Sequence, residues 1–181
     1  MDRSERVAVE ARWDAWIGGD REVLTLRWEN GGWTADGVVS GANIHYVLRM
    51  DSAWQVRHLM LFRDMEEPDL WLAHDGAGAW GEVNGARRME LSGATDVLLS
   101  VTPFTLAVIA NRLATDGSAT TDVSVVRVDV ETLEARPHTV TATRIADDRW
   151  RFVDDDGDAV ELVLDADGLP GDVEGFFRRV V

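Results

Sequence analysis

The feature that most constrains this chain is a short-range alternation of apolar and polar residues, broken repeatedly by glycine and acidic turn residues. In Glu22–Glu29, the residues Leu24, Leu26 and Trp28 occupy alternate positions, and Asn30-Gly31-Gly32 follows. Successive side chains of a strand point to opposite faces, so this pattern predicts a strand closed by a tight hairpin turn. The pattern recurs along the chain and predicts a mainly β fold built on a curved antiparallel sheet.

One segment departs from the alternation and predicts a single helix near residues 103–113. Thr102 can cap its start, Pro103 suits its first position, and Phe104–Leu113 contains few helix breakers. Before it, the pattern predicts three short strands, at Asp69–Ala73, Gly78–Val83 and Arg87–Leu91. After it, the pattern predicts a second run of strands that closes with Gly175–Val180. With 181 residues, the chain is expected to form one domain, 1–181.

Two further patterns bear on how the strands pack. Trp33 leads through a glycine turn to Ile44–Asp51, and Trp150 leads through another to Val160–Asp167. This similarity raises the alternative of two pseudo-repeated halves.

Some strands are also apolar on both faces. In Trp54–Phe62, regular alternation places Trp54, Val56, Met60 and Phe62 on one face of the strand and Leu59 and Leu61 on the other. The strand predicted at Val123–Val130 also carries apolar residues on both faces. Such strands indicate either a two-layer core with the helix over one sheet, or a half-barrel around a ligand cavity.

Composition excludes several classes of partner. The formal net charge of −15 disfavours nucleic acid, because its phosphates would be repelled over most of the surface. No apolar run approaches the ~20 residues of a membrane span. The charged N-terminal residues lead into no apolar signal segment, so a cytoplasmic location is expected. Without cysteine there is no thiol nucleophile and no thiolate metal site.

No catalytic or metal-binding motif is apparent. The acidic runs Asp154–Asp158 and Asp165–Gly168 superficially resemble calcium loops, but predicted strands rather than helices flank them. They are therefore predicted to be hairpin turns. The histidines His45, His58 and His138 show no ligand spacing with one another or with His74. We expect no metal and no cofactor, although paired carboxylates could converge in space without leaving a sequence signal.

Four stretches together resemble a bacterial family described as putative glycolipid-binding proteins. They are 46–57 (YVLRMDSAWQVR), 93–105 (GATDVLLSVTPFT), 131–134 (ETLE), and 165–169 (DADGL) with 177–179 (FRR). The resemblance implies an antiparallel β half-barrel similar to the carriers that shuttle lipoproteins. This chain departs from the family pattern at Leu106–Leu113 and, around Asp96, at Ala94 and Leu98. These departures imply a more apolar ligand.

The leading hypothesis is therefore non-catalytic binding of a lipid or glycolipid amphiphile in the curved face of the sheet. Trp54, Met60, Phe62, Trp71 and Phe104 are the candidate wall residues. Arg57 and Arg112, together with Asp96, are candidates for contact with a polar head group. Two alternatives stay open: a protein-interaction scaffold or homo-oligomer of unknown size, and an enzyme acting on a lipid or sugar. An enclosed apolar cavity of ~300 Å³ or more would favour the binder.

Overall fold

The computed structural model describes residues 8–64 and 66–180. In this part of the chain a single α-helix, α1 (Phe104–Asp116), and a 3-10 turn at Met89–Leu91 accompany thirteen strands. The strands are β1 (Ala8–Ala15), β2 (Arg21–Glu29), β3 (Gly32–Val39), β4 (Ile44–Asp51), β5 (Val56–Phe62), β6 (Leu70–His74), β7 (Trp80–Glu82), β8 (Asp96–Leu99), β9 (Thr120–Val128), β10 (Ala135–Ala146), β11 (Arg149–Asp154), β12 (Ala159–Val163) and β13 (Phe177–Val180). The predicted mainly β class with one helix is confirmed.

The strands form two sheets of unequal size. The larger sheet has the order β13-β1-β2-β3-β4-β5-β6-β7 and is antiparallel throughout. The smaller has the order β12-β11-β10-β9-β8, and its β8–β9 pair is parallel because α1 connects these two strands. The hairpins β3–β4 and β11–β12 both form, but they belong to sheets of eight and five strands.

The larger sheet curves around one apolar core, and α1 fills that curve. Trp13 of β1 and Trp80 of β7 belong to the same buried cluster as Phe104 and Val108 of the helix. A different side of the helix packs against the smaller sheet and forms a second buried cluster with it. The residues of α1 in this second cluster are Ala107, Ile109, Ala110 and Leu113. The curved antiparallel half-barrel is therefore present, with its concave face packed by side chains.

The ends of α1 follow the local chemistry that the sequence predicts. The Thr102 hydroxyl oxygen accepts a hydrogen bond from the Phe104 N–H (3.0 Å), so it satisfies a donor that the first helical turn leaves free. Pro103 has α-region angles. At the other end, Gly117 adopts a positive φ of 72° and stops the helix. The helix thus runs three residues beyond the predicted Leu113.

A bulge in β5 explains why simple alternation mis-assigned its faces. Opposite Arg49 and Met50 of β4, the register shifts so that Met50 pairs with Val56 while Arg49 pairs with His58. The extra residue turns Val56 to the buried side together with Leu59 and Leu61. Met60 and Phe62 consequently face away from the core. The doubly apolar β9 instead divides its faces: Val123 belongs to the cluster of the smaller sheet and Val126 to that of the larger.

Two of the predicted strands differ from the structure. Arg87–Leu91 does not extend β7; it makes one bridge, between Gly81 and Arg87, and then forms the 3-10 turn. The predicted last strand, Gly175–Val180, is shortened to β13, and it pairs with β1 in the larger sheet rather than with the strands that precede it. Such long-range pairing leaves no local signal in the sequence.

Gly37 permits a close approach between neighbouring strands. Its β3 backbone lies directly beneath the ring of Tyr46, where an added Cβ would overlap the ring carbons. We predict that Gly37→Ala lowers the free energy of unfolding by about 1–3 kcal/mol, because the buried Tyr46 ring must shift. Gly19→Ala is the control, since a Cβ there meets nothing within 4 Å. Urea unfolding measures both; equal stabilities of the two variants would contradict this packing.

Candidate functional site

An apolar pocket opens between the start of α1, the smaller sheet and the segment before β13. Its volume is about 220 Å³. It is lined mainly by Leu98, Leu99, Pro103, Leu106, Val140, Phe152, Val160, Val173, Phe176 and Phe177, with Ser100, Thr102, Arg127, Asp154 and Asp158 at its margins. Phe176 is 52% exposed and belongs to this lining. We call this feature the apolar pocket.

A wider polar groove adjoins the apolar pocket, and Ser100 and Arg127 line both. Its volume is about 860 Å³. Across the groove lie two arginines and one histidine (Arg127, Arg136 and His138) and five carboxylates (Asp129, Glu131, Glu134, Asp155 and Asp156). The guanidinium group of Arg127 makes no hydrogen bond or ion pair within residues 8–64 and 66–180. The two features together form an apolar recess that continues into a polar channel.

A third recess, the tryptophan pocket, lies near the other end of α1. It has a volume of about 280 Å³ and is lined by Trp54, Asn111, Ala114, Thr115, Asp147, Asp148, Trp150, Leu164, Asp165 and Gly168. Trp54 reaches it from the β4–β5 turn of the larger sheet, whereas Trp150 belongs to β11 of the smaller sheet. Residues from both sheets and from α1 therefore meet at this pocket.

The predicted wall residues lie in three separate places. Phe104, the first residue of α1, is fully buried. Trp54 is 4% exposed and stacks on Trp33 with ring centroids 5.2 Å apart. Met60 and Trp71 are cross-strand neighbours on the convex face of the larger sheet, and Phe62 shares that face. Trp54 lines the tryptophan pocket. None of these residues is among those that line the apolar pocket in the described part of the chain.

The predicted head-group residues are engaged in ion pairs. Arg112 donates to both carboxylate oxygens of the fully buried Asp96, from Nε at 3.0 Å and from Nη2 at 2.6 Å. This pair joins α1 to β8. Arg57 donates from Nη2 to Asp51 at 2.9 Å, beside the β4–β5 turn. A ligand would have to compete with a bidentate buried ion pair to use Arg112.

A buried carboxyl group, that of Glu22, is hydrogen-bonded to two hydroxyl groups near the start of α1. Glu22 Oε1 accepts hydrogen bonds from the Tyr46 hydroxyl (2.5 Å) and the Thr102 hydroxyl (2.8 Å), while Glu22 Oε2 has no partner in the described residues. Burial raises the pKa of Glu22 to about 7, although the two hydrogen bonds oppose this effect. Thr102 also lines the apolar pocket, so the cluster lies directly behind that pocket's wall.

The raised pKa of Glu22 predicts a loss of stability with rising pH. Folded Glu22 holds its proton up to about pH 7, whereas in the unfolded chain it ionises near 4.5. The contribution of Glu22 to the free energy of unfolding is therefore fully present below pH 4.5. It declines by about 3 kcal/mol as the pH rises from 4.5 to above 7. Glu22→Gln, which cannot ionise, should lack this component. Urea unfolding of the wild type and the variant from pH 4.5 to 8 measures the difference between their free energies of unfolding. A difference that does not change with pH would contradict the raised pKa of Glu22.

The acidic runs are turn-forming, as the sequence predicted. Asp154 Oδ1 accepts from the backbone N–H groups of Asp156 and Asp158, and Asp165 does the same within its own turn. Within the described residues, no group of three or more histidine and carboxylate side chains is arranged to hold a metal ion. Nor is any helix in that part long and apolar enough to cross a membrane.

Comparison with known proteins adds a family and a fold. The model of a family described as "Putative glycolipid-binding" matches residues 10–179. The crystal structure of a DUF1089 family protein from Pseudomonas aeruginosa superposes with a TM-score of 0.70 at 21% sequence identity, covering 99% of this chain and 96% of that one. No curated protein matches the sequence. At that identity the structural likeness supports the fold alone.

The residues of the apolar pocket could not have been selected from sequence. The sequence feature that could have indicated this region is the departure from the family pattern, because Leu98 and Leu106 lie at positions where the chain departs from it. Val140, Phe152 and Val160 converge only because β10, β11 and β12 pair in register, with Phe152 opposite both Ala142 and Val160. Which face of these strands meets α1 depends on the tertiary arrangement.

Proposed function

The chain belongs to the putative glycolipid-binding family, and on that basis we propose that it binds a lipid or glycolipid amphiphile without catalysing a reaction. The observation that carries the proposal is the continuity of the apolar pocket with the polar groove through Ser100 and Arg127. A ligand with one apolar and one polar end matches such a pair of surfaces.

The size of the apolar pocket limits what enters it. Its volume of about 220 Å³ is below the ~300 Å³ at which pockets for whole drug-sized ligands begin. The pocket therefore suits the end of one hydrocarbon chain, in contact with Leu106, Val140 and Phe152. The remainder of the amphiphile would lie along the larger polar groove.

The charges of the polar groove favour a particular type of head group. Arg127 and Arg136 are direct cross-strand neighbours and can donate hydrogen bonds to ligand oxygens. The five groove carboxylates surround them and would repel an anionic head. A neutral or zwitterionic head that both donates and accepts hydrogen bonds suits this mixture better than a phosphate monoester does.

Chain-length dependence tests the apolar pocket. Binding of hexyl, heptyl, octyl and nonyl glucosides, measured by calorimetry below their aggregation concentrations, should strengthen by about 0.8 kcal/mol, or roughly fourfold, per methylene until the pocket is full. Leu106→Ala should weaken octyl glucoside by about 1 kcal/mol. Ile17→Ala, which removes an 85% exposed side chain outside the pocket, is the matched control. Affinity independent of chain length, or equal loss in both variants, would contradict the proposal.

One observation favours a second candidate function, a protein-interaction surface. Val38, 47% exposed, and Val47, Met60, Phe62 and Trp71 share the convex face of the larger sheet, where adjacent strands bring them together. The other four residues are half-buried. Contiguous apolar surface that solvent reaches in part is typical of interfaces. If this face joins two copies, sedimentation should show a dimer that Phe62→Asp converts to monomer. A monomer at high micromolar concentration would contradict self-association.

A further inference from the structure

Three apolar side chains with much of their surface exposed lie together at one corner of the protein. Trp16 and Ile17 follow β1 and are 42% and 85% exposed, and Phe176 comes just before β13 and is 52% exposed. The Trp16 N–H donates a hydrogen bond to the Phe176 carbonyl oxygen at 2.8 Å, so the two segments are neighbours. We call these three residues the apolar corner. Exposed apolar residues scattered singly are ordinary, whereas adjacent ones indicate a contact surface.

The apolar corner projects from the body of the fold. Its first two residues belong to the β1–β2 turn, which is closed by a hydrogen bond of 2.8 Å from the Ala15 N–H to the Asp20 carbonyl oxygen. A Cβ added to Gly18 or Gly19 would meet no atom of the described residues within 4 Å, apart from the adjoining chain. The described part of the chain therefore leaves this turn uncovered. The Ile17 side chain lies in water, although its burial would be favourable.

Arg178 of β13 packs on the indole of Trp16. The Arg178 Cζ atom lies 4.7 Å from the centroid of the Trp16 ring, which is a cation–π contact. An indole has a large apolar body and one polar N–H, and an arginine side chain can keep its charge at the edge of an apolar region. Such a pair suits the boundary between water and an apolar phase, where tryptophan is enriched in proteins that contact bilayers.

The extent of the apolar corner favours a lipid surface over a protein partner. The exposed surface of the three side chains is on the order of 400 Å², half of the ~800 Å² that each partner contributes to a stable protein interface. A projecting turn also offers little flat surface to a second protein. A bilayer needs no matching shape, because apolar side chains are buried at the boundary between its head groups and its acyl chains.

The charges around the apolar corner indicate the kind of bilayer. Near it, Arg21 and Arg178 are opposed by Asp14, Asp20 and Glu174. Asp14 is the cross-strand neighbour of Arg178, and its Oδ1 lies 3.5 Å from Arg21 Nε. The corner is therefore close to neutral, whereas the whole chain carries a net charge of −15. The rest of the surface would repel an anionic bilayer, but not a zwitterionic one.

Phe176 connects the apolar corner to the apolar pocket, because it is half exposed and also lines that pocket. We propose that the apolar corner docks the protein reversibly on the head-group layer of a zwitterionic bilayer, with Trp16 and Ile17 inserted and Phe176 at the entrance to the pocket. This inference rests on the proposed function and deepens it, since it names the surface from which the apolar pocket takes its amphiphile. The hydrocarbon end of that amphiphile then enters the pocket beside Phe176 without crossing water.

Flotation with lipid vesicles tests the docking. The wild-type protein should float with vesicles of phosphatidylcholine at about 5 mM lipid. It should float less with vesicles that also contain about 30 mol% phosphatidylglycerol, because their surface is anionic. Sodium chloride at about 0.5 M should remove this difference, because it screens the repulsion between the protein and the vesicle.

A matched pair of variants locates the contact. Ile17→Ser should weaken partitioning into phosphatidylcholine vesicles about tenfold, the scale of withdrawing one isoleucine side chain from an apolar environment. Met89→Ser is the control, because Met89 is 69% exposed and follows β7, at the opposite edge of the larger sheet from β13. Both substitutions leave the net charge unchanged. Because both side chains are exposed, urea unfolding should show that both variants remain folded.

Three results would overturn the docking: no flotation of folded wild-type protein, equal losses in Ile17→Ser and Met89→Ser, or tighter binding to the anionic vesicles than to phosphatidylcholine. Calorimetry with monomeric octyl glucoside separates this inference from the proposed function, because no bilayer is present. Wild-type protein that binds octyl glucoside but does not float would refute the docking alone. Wild-type protein that floats but binds no octyl glucoside would refute the proposed function of the apolar pocket and support the docking.

Discussion

The packing of α1 against two sheets at once is the constraint on which the rest of the structure depends. Phe104 and Val108 close the curve of the larger sheet, while Ala110 and Leu113 form the core of the smaller one. From Phe104 to Leu113 no residue of the helix is exposed. The buried pair Asp96–Arg112 ties α1 to β8, and the Thr102 hydroxyl links the helix start to Glu22. The half-barrel therefore has a filled interior.

This arrangement determines where a ligand can bind. Because α1 occupies the concave face, open volume remains where the helix diverges from the smaller sheet, at the apolar pocket near its start and the tryptophan pocket near its end. The packed side chains of Ala110, Leu113 and Leu162 belong to the core that lies between them. The proposed hydrocarbon site thus uses the end of the helix–sheet interface where α1 begins.

Local sequence signals were sufficient for most of the strands and for the helix, but not for the strand faces or the site. Alternation and turn residues predicted β2 to β5, and Thr102-Pro103 predicted the start of α1. The β5 bulge reversed the expected orientation of Met60 and Phe62, because one extra residue inverts a period of two. The return of β13 to β1 and the burial of Asp96 against Arg112 depend on residues distant in sequence, for which no local pattern exists.

The central claim is that an amphiphile binds between α1 and the smaller sheet rather than inside the larger sheet. Methyl-resolved NMR during titration with octyl glucoside tests it most directly. The account predicts that the largest chemical-shift changes occur at Leu106, Val140 and Val160, with the methyl groups of Leu48, Leu59 and Leu61 nearly unchanged. Large changes at Leu48, Leu59 and Leu61, with none at Leu106, would show that the half-barrel opens to admit its ligand and would contradict the account.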